Sequence, residues 1–275
     1  MLSTGQRSQP IKSVNRKNTN MLSKATTLKG YQMHCLDGGI GRVEEFYFDD
    51  QHWAIRYLVA NTGSWLRGRQ ILISPQALRG VNGEEQSITI DLTMAQIEDS
   101  PSLESDKPVS RQFEEAYHGY YGWPVYWSDS YEYGTYPFIM RNRQHLQSPT
   151  HGEKAWDPHL RSTRDVMGHH IQASDGEIGH AEDFIIDDEN WAIRYLIVDT
   201  RNWWPGKRVL VSPQWIERVS WEASKVFVNL SRAAIQGSPE YKEGLLTRDY
   251  EAQLHSHYQR EGYWVDELAE IHHSR

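Results

Sequence analysis

The sequence predicts a mainly β chain made of two tandem copies of one small barrel, each copy followed by short C-terminal helices. Three observations carry that expectation. Shifting the chain by 138 residues lays residues 28–101 over 166–239 without a gap, and 29 of the 74 pairs are identical. Within each copy the apolar residues follow the short period of strands rather than the 3.6-residue period of helices. Turn signals separate five or six such runs per copy. Their regular spacing suits a closed or half-closed barrel with few free edges.

The elements follow in order. Residues 28–36 form the first run and end at the turn Asp37-Gly38-Gly39, where glycine tolerates the positive φ of a hairpin turn; Asp175-Gly176 repeats it. Residues 41–48 and 53–60 flank the four-residue loop DDQH, repeated as DDEN. A four-residue loop of that kind places Glu45 opposite Arg56, and its repeat places Asp183 opposite Arg194, pairs that would explain an arginine inside the apolar run WAIRYLV. Residues 69–73 and 88–92 supply two further strands. Thr93 and Ser231 are N-caps for two short helices, each stopped by a Ser-Pro step. Longer helices begin after Ser110 and Thr247. In the first of these Phe113, Ala116, Tyr117, Tyr120 and Tyr121 fall on one stripe, repeated by Tyr250, Leu254 and Tyr258, and both stripes read as packed core. The implied organisation is a disordered basic tail over residues 1–27, a barrel over 28–127, an aromatic connector over 128–164, a second barrel over 165–265, and a C-terminal tail over 266–275. Removal of residues 1–27 is expected to leave folding intact.

Composition narrows the function classes. Of 275 residues, 38% are hydrophobic and 24% charged, with eleven Trp and fifteen Tyr, which is ordinary globular usage. The single cysteine, Cys35, excludes an internal disulfide and any cysteine-based metal cluster, so a reducing, cytoplasmic setting is expected. No apolar run reaches the roughly 18 residues that a membrane helix needs. The formal charge of −8 divides into +6 over residues 1–29 and −14 over the rest. The tail is thus a candidate for peripheral contact with anionic membranes, while the acidic body opposes a nucleic-acid backbone.

Catalytic and metal-binding patterns are weak. Asp49-Asp50 and Asp187-Asp188-Glu189 sit at hairpin tips, where aspartate serves turn chemistry. Of thirteen histidines only His118 and His255 occupy equivalent places in the two copies, on a helix face suited to packing or hydrogen bonding. No nucleophile elbow, phosphate loop or dinucleotide fingerprint occurs. The reading is therefore non-catalytic, with no metal and no cofactor. The candidate docking surface is the loop-to-strand step carrying Trp65, Arg67 and Arg69 in the first copy and Trp203, Trp204, Lys207 and Arg208 in the second. These tryptophans suit coverage of a barrel mouth or contact with a protein, and secondarily stacking on a planar ligand.

Both copies carry DGGIG or DGEIG, WAIRYLVANT or WAIRYLIVDT, GRQILISPQ or GKRVLVSPQ, LTMAQIEDSP or LSRAAIQGSP, and SRQFEEAYHGYY or TRDYEAQLHSHY, leading to Tyr126-Trp127 and Tyr263-Trp264. In these residues the chain resembles the PRC-barrel family, in the bacterial arrangement with two such barrels in one chain. The resemblance spans nearly all of both copies. It implies a β-barrel like the cytoplasmic domain of the photosynthetic reaction-centre H subunit and the C-terminal domain of a ribosomal-RNA maturation factor. The H subunit begins with a membrane helix, whereas this chain begins with a polar basic tail. The function implied is a protein-interaction, assembly or regulatory module with a protein partner and a homodimer as candidate assemblies. The alternatives are an RNA- or ribosome-associated module and a binder of a quinone or tetrapyrrole.

Overall fold

The computed structural model describes residues 22–101, 109–127, 159–200 and 206–265. Most of the basic tail, connector residues 128–158, Trp203, Trp204 and the C-terminal residues 266–275 lie outside the described residues. The chain runs β1 (Leu22–Lys24), α1 (Ala25–Leu28), β2 (Gln32–His34), β3 (Gly39–Asp49), β4 (Ala54–Asn61), β5 (Gln70–Ile73), β6 (Leu78–Asn82), β7 (Ser87–Ile90), α2 (Met94–Glu98) and α3 (Arg111–Tyr121). It resumes with β8 (Leu160–Ser162), α4 (Thr163–Val166), β9 (His170–Ala173), β10 (Gly176–Asp187), β11 (Ile193–Asp199), β12 (Arg208–Val211), β13 (Ile216–Ser220), β14 (Lys225–Val228), α5 (Arg232–Gly237) and α6 (Arg248–His257). No described helix is long and apolar enough to cross a membrane.

The fold is mainly β and consists of two mixed seven-stranded sheets. One has the order β5-β4-β3-β2-β7-β6, the other β12-β11-β10-β9-β14-β13. In each, one parallel contact, β2 with β7 or β9 with β14, interrupts otherwise antiparallel pairing. Neither sheet closes into the barrel that the strand pattern suggests. After β5 and β12 come Pro75–Ala77 and Pro213–Trp215, single 3-10 turns capped by the Ser74 and Ser212 side chains. Proline ends the ladder there, so the chain rounds a corner into the opposite edge strand instead of pairing with it.

The apolar pattern explains where the strands lie. In β4, Leu58 and Ala60 face the large core, while Tyr57 and Val59 face a smaller cluster with Leu72, Val109 and Tyr117. A strand covered on both sides needs no alternation, which accounts for the nearly continuous run in WAIRYLVA. The caps are local and act as expected: Thr93 and Gln96 form a capping box on α2, and Ser231, Ser110 and Thr247 cap α5, α3 and α6.

The hairpin register differs from the expected one. Glu45 lies opposite Val59, and Asp183 opposite Ile197. Bulges between Tyr47 and Phe48, and between Ile185 and Ile186, insert a residue, and Trp53 and Trp191 at the ends of the loops take left-handed φ angles of 52° and 61°. Arg56 therefore meets Asp49, with Nη2 3.1 Å from Oδ2, and Arg194 meets Asp187, with Nη2 at 2.7 Å.

A larger departure lies at the boundaries of the two copies. Residues 22–27, expected in the disordered tail, form β1 and most of α1. Residues 160–164, expected in the connector, form β8 and the start of α4. β1 pairs with β10, in the second copy, in the register Leu22↔Asp187 to Lys24↔Ile185. β8 pairs with β3, in the first copy, in the equivalent register Leu160↔Asp49 to Ser162↔Tyr47. Each copy thus lends its leading strand to the other. Between the exchanged strands Ala54 bridges Ala192; Ile55 N donates to Trp191 O and Ile193 N to Trp53 O, both at 2.8 Å. Phe48 and Phe184 pack at 5.8 Å across the same junction, and one apolar core runs through both sheets.

Candidate functional site

Two arrangements gather the polar side chains. The first is buried and occurs twice. In the first copy the Tyr57 hydroxyl lies 3.0 Å from Glu114 Oε1 and 3.1 Å from His118 Nε2, and the Tyr126 hydroxyl donates to the same Glu114 oxygen at 2.6 Å. His118 Nδ1 lies 3.0 Å from Pro124 O and donates to it, and the single Tyr57 hydroxyl proton goes to Glu114. Arg56 stacks on the Tyr126 ring at 4.2 Å and Arg111 on Trp127 at 3.9 Å. Tyr195, Glu251, His255, Tyr263, Arg194 and Arg248 repeat the arrangement, with Tyr195 3.0 Å from both Glu251 and His255.

Burial governs the electrostatics of both networks. It lowers His118 to about 4, with the Arg56 and Arg111 charges acting the same way against the Pro124 carbonyl, and it lowers His255 as well. Burial raises Glu251 despite the arginines and tyrosines around it, and pushes Tyr57 and Tyr195 well above the ordinary phenol value. At Asp49 burial opposes ionisation but His52 and Arg56 outweigh it, holding the carboxyl below the usual range. These groups are hydrogen-bonded inside the protein and hold α3 and α6 to β4 and β11.

The acidic hairpin tips act in the turns, and they also do more. Asp49 Oδ1 accepts from Gln51 N at 2.8 Å and His52 N at 3.2 Å, and Asp187 Oδ1 accepts from Glu189 N at 3.1 Å. Asp50 lies 3.0 Å from His159 Nδ1 and 3.5 Å from Arg161 Nε, which anchors the incoming β8. Further along that segment Ser162 Oγ donates to Glu45 at 2.6 Å and Arg164 lies 3.4 Å from it. Asp183, the equivalent of Glu45, accepts from Thr26 N and Oγ1 of the other exchanged segment; burial still raises its carboxyl.

The second arrangement is open. A groove of about 560 Å³ runs beside β10, β11 and β12, with Lys24, Asp183, Lys207, Arg208, Tyr241 and Glu243 among its walls. Arg208 holds Glu182 with two bonds of 2.6 and 2.7 Å, Lys24 meets Glu243 at 2.8 Å, and Lys242 meets Glu240 at 3.1 Å. These pairs sit on the exposed rim, where ion pairs exchange readily with a partner's charges.

The residues singled out as a docking surface divide between these roles. Arg69 donates to the carbonyls of Glu98 and Ser100, closing the C-terminal end of α2; Lys207 does the same for α5 through Gln236 and Ser238. Trp65 is half-buried against the core. Arg67 sits in the loop before β5 with a φ of 54°. Among the described residues of the set, Lys207 and Arg208 line the groove, together with Asp183 from the structural pairs. Sequence reasoning missed the networks as networks. The signal was present, because Tyr57, Arg111, Glu114, His118 and Tyr126 each recur as the same residue type in the second copy. Among the described residues no three His, Cys, Asp or Glu side chains are grouped to hold a metal ion. Comparison of the chain with models of known protein families and with curated proteins returned no match.

Proposed function

We propose that this chain is a non-catalytic, cytoplasmic docking module of two PRC-barrel-like halves, acting in assembly or regulation and presenting the groove beside β10–β12 to a protein partner. The carrying observation is the division of polar groups: the two sets Tyr57, Glu114, His118 and Tyr195, Glu251, His255 are enclosed in helix-anchoring networks, whereas the open groove is walled by rim ion pairs. Such a wall lacks a nucleophile–base pair. It suits a polypeptide segment carrying charges of both signs, because Glu182 and Arg208 can each be re-paired without leaving a buried charge behind. The groove carries Glu182, Asp183, Asp199, Glu240 and Glu243 against Lys24, Lys207, Arg208 and Lys242, an excess that disfavours a phosphate backbone.

The test is affinity capture from extract of the native host with the full chain and with Glu182→Arg, followed by mass spectrometry. A partner held in near-stoichiometric amount by the parent and lost with Glu182→Arg supports groove docking. Retention of the same proteins by both chains, or of none, contradicts it.

A further inference from the structure

The junction between the two halves has the properties of an interface between two separate molecules. It is isologous in form: β1 on β10 is matched by β8 on β3, Ile55 on Trp191 by Ile193 on Trp53, and Ala54 meets its own equivalent, Ala192. Contacts of this kind are made by folded surfaces and do not depend on which chain supplies each surface. The covalent link is long by comparison. Residues 128–158 separate the last described residue of the first half from the first of the second. At roughly 3.3 Å per residue, 31 residues reach about 100 Å when extended, several times the width of one half.

Charge adds direction to the pairing. The segment entering the first half carries His159, Arg161 and Arg164 against Glu44, Glu45 and Asp50. The segment entering the second half brings Lys24 and Thr26 to Glu243 and Asp183. A first half therefore matches a second half better than it matches another first half, because the segment from 159 onward alone supplies the two arginines and the histidine that face Glu44, Glu45 and Asp50.

We infer that the partner fitted by this junction is a second copy of the same chain, two chains exchanging halves so that the first half of each closes on the second half of the other. The groove shares Lys24, Thr26, Asp183 and Glu243 with this junction, but the inference does not rest on the docking reading, since the strand pairing is present whether or not the groove is filled. Dilute chain closes on itself. At high concentration during refolding the same junction forms between chains, and each compact unit of the resulting dimer repeats the closed monomer.

The experiment uses two full-length chains with different affinity tags, each with a specific protease site placed within residues 128–158. They are unfolded together in urea and refolded at low and at high concentration, then sized by light scattering. The expected result is a 32.0 kDa species alone at low concentration and a second species of twice that mass at high concentration. Cutting the connector should convert the larger species into particles of single-chain mass in which the first half with one tag elutes with the second half carrying the other. A dimer whose mass survives cutting uses a different surface and overturns the inference. Monomer at every concentration, or a cut monomer that falls into free halves, overturns it equally.

Discussion

At the scale of single residues the molecule spends its polar groups on holding helices to sheets. Glu114 is fully enclosed and accepts from Tyr57 and Tyr126, while His118 faces the Pro124 carbonyl through Nδ1 and the Tyr57 oxygen through Nε2. Burial favours the neutral imidazole. Its pKa is lowered from 6.5 to about 4, so the unfolded chain takes up a proton at this site between those two values when the folded chain does not. Stability from this group is present in full above about pH 6.5 and is lost progressively as the pH falls toward 4, by about 3 kcal/mol at most. His118→Gln should flatten the pH dependence of the urea midpoint over that window. An unchanged slope would mean that His118 is not held neutral.

At the scale of elements the tightest constraint lies where the first hairpin crosses β4. Gly41 has a φ of +131°, and a Cβ there would stand 2.0 Å from the Asn61 carbonyl oxygen; Gly179 faces Asp199 in the same way. The obstacle is backbone and cannot swing aside. Gly41→Ala should therefore destabilise the protein by roughly 2 kcal/mol or more in urea melts, with strain and clash acting together. A loss below 0.5 kcal/mol, on the order of an ordinary surface change, would contradict this geometry. The place of the DGGIG turn, the four helix caps and the Ser-Pro stops were legible in the sequence because each depends on neighbours within a few residues, although the positive φ expected of the turn glycines occurs at Gly176 and not at Gly38 or Gly39. The register of β3 on β4 was not legible, because the loop spans residues 50–53 instead of 49–52 and the bulge after Tyr47 adds one more residue, and neither leaves a mark in the alternation of side chains. For the same reason the arginine of WAIRYLV was legible as a paired charge while its partner, Asp49 instead of Glu45, was not.

At the scale of the whole molecule the internal repeat was legible from the 138-residue shift, and the way the copies interlock was not. Leu22–Lys24 pairs with strand residues more than 160 positions away, and nothing in a three-residue strand announces so distant a partner. Hence the expectation that removing residues 1–27 leaves folding intact is revised. Ala25 is buried, Leu22 is half-buried and Thr26 holds the enclosed Asp183 carboxylate. Their loss strips β10 of its neighbour and leaves a buried acid short of two donors, at a cost of roughly 2–4 kcal/mol. The central claim is that the two halves are one structure because each completes the other's sheet. Hydrogen exchange read at β10, comparing a chain that begins at Met21 with one that begins at Leu28, tests it most directly. The account predicts that the shorter chain exchanges faster at Ile185 and Ile186, in the half of the molecule farthest in sequence from the deletion, with a lower urea midpoint. Equal protection of those amides and equal midpoints in the two chains would contradict it.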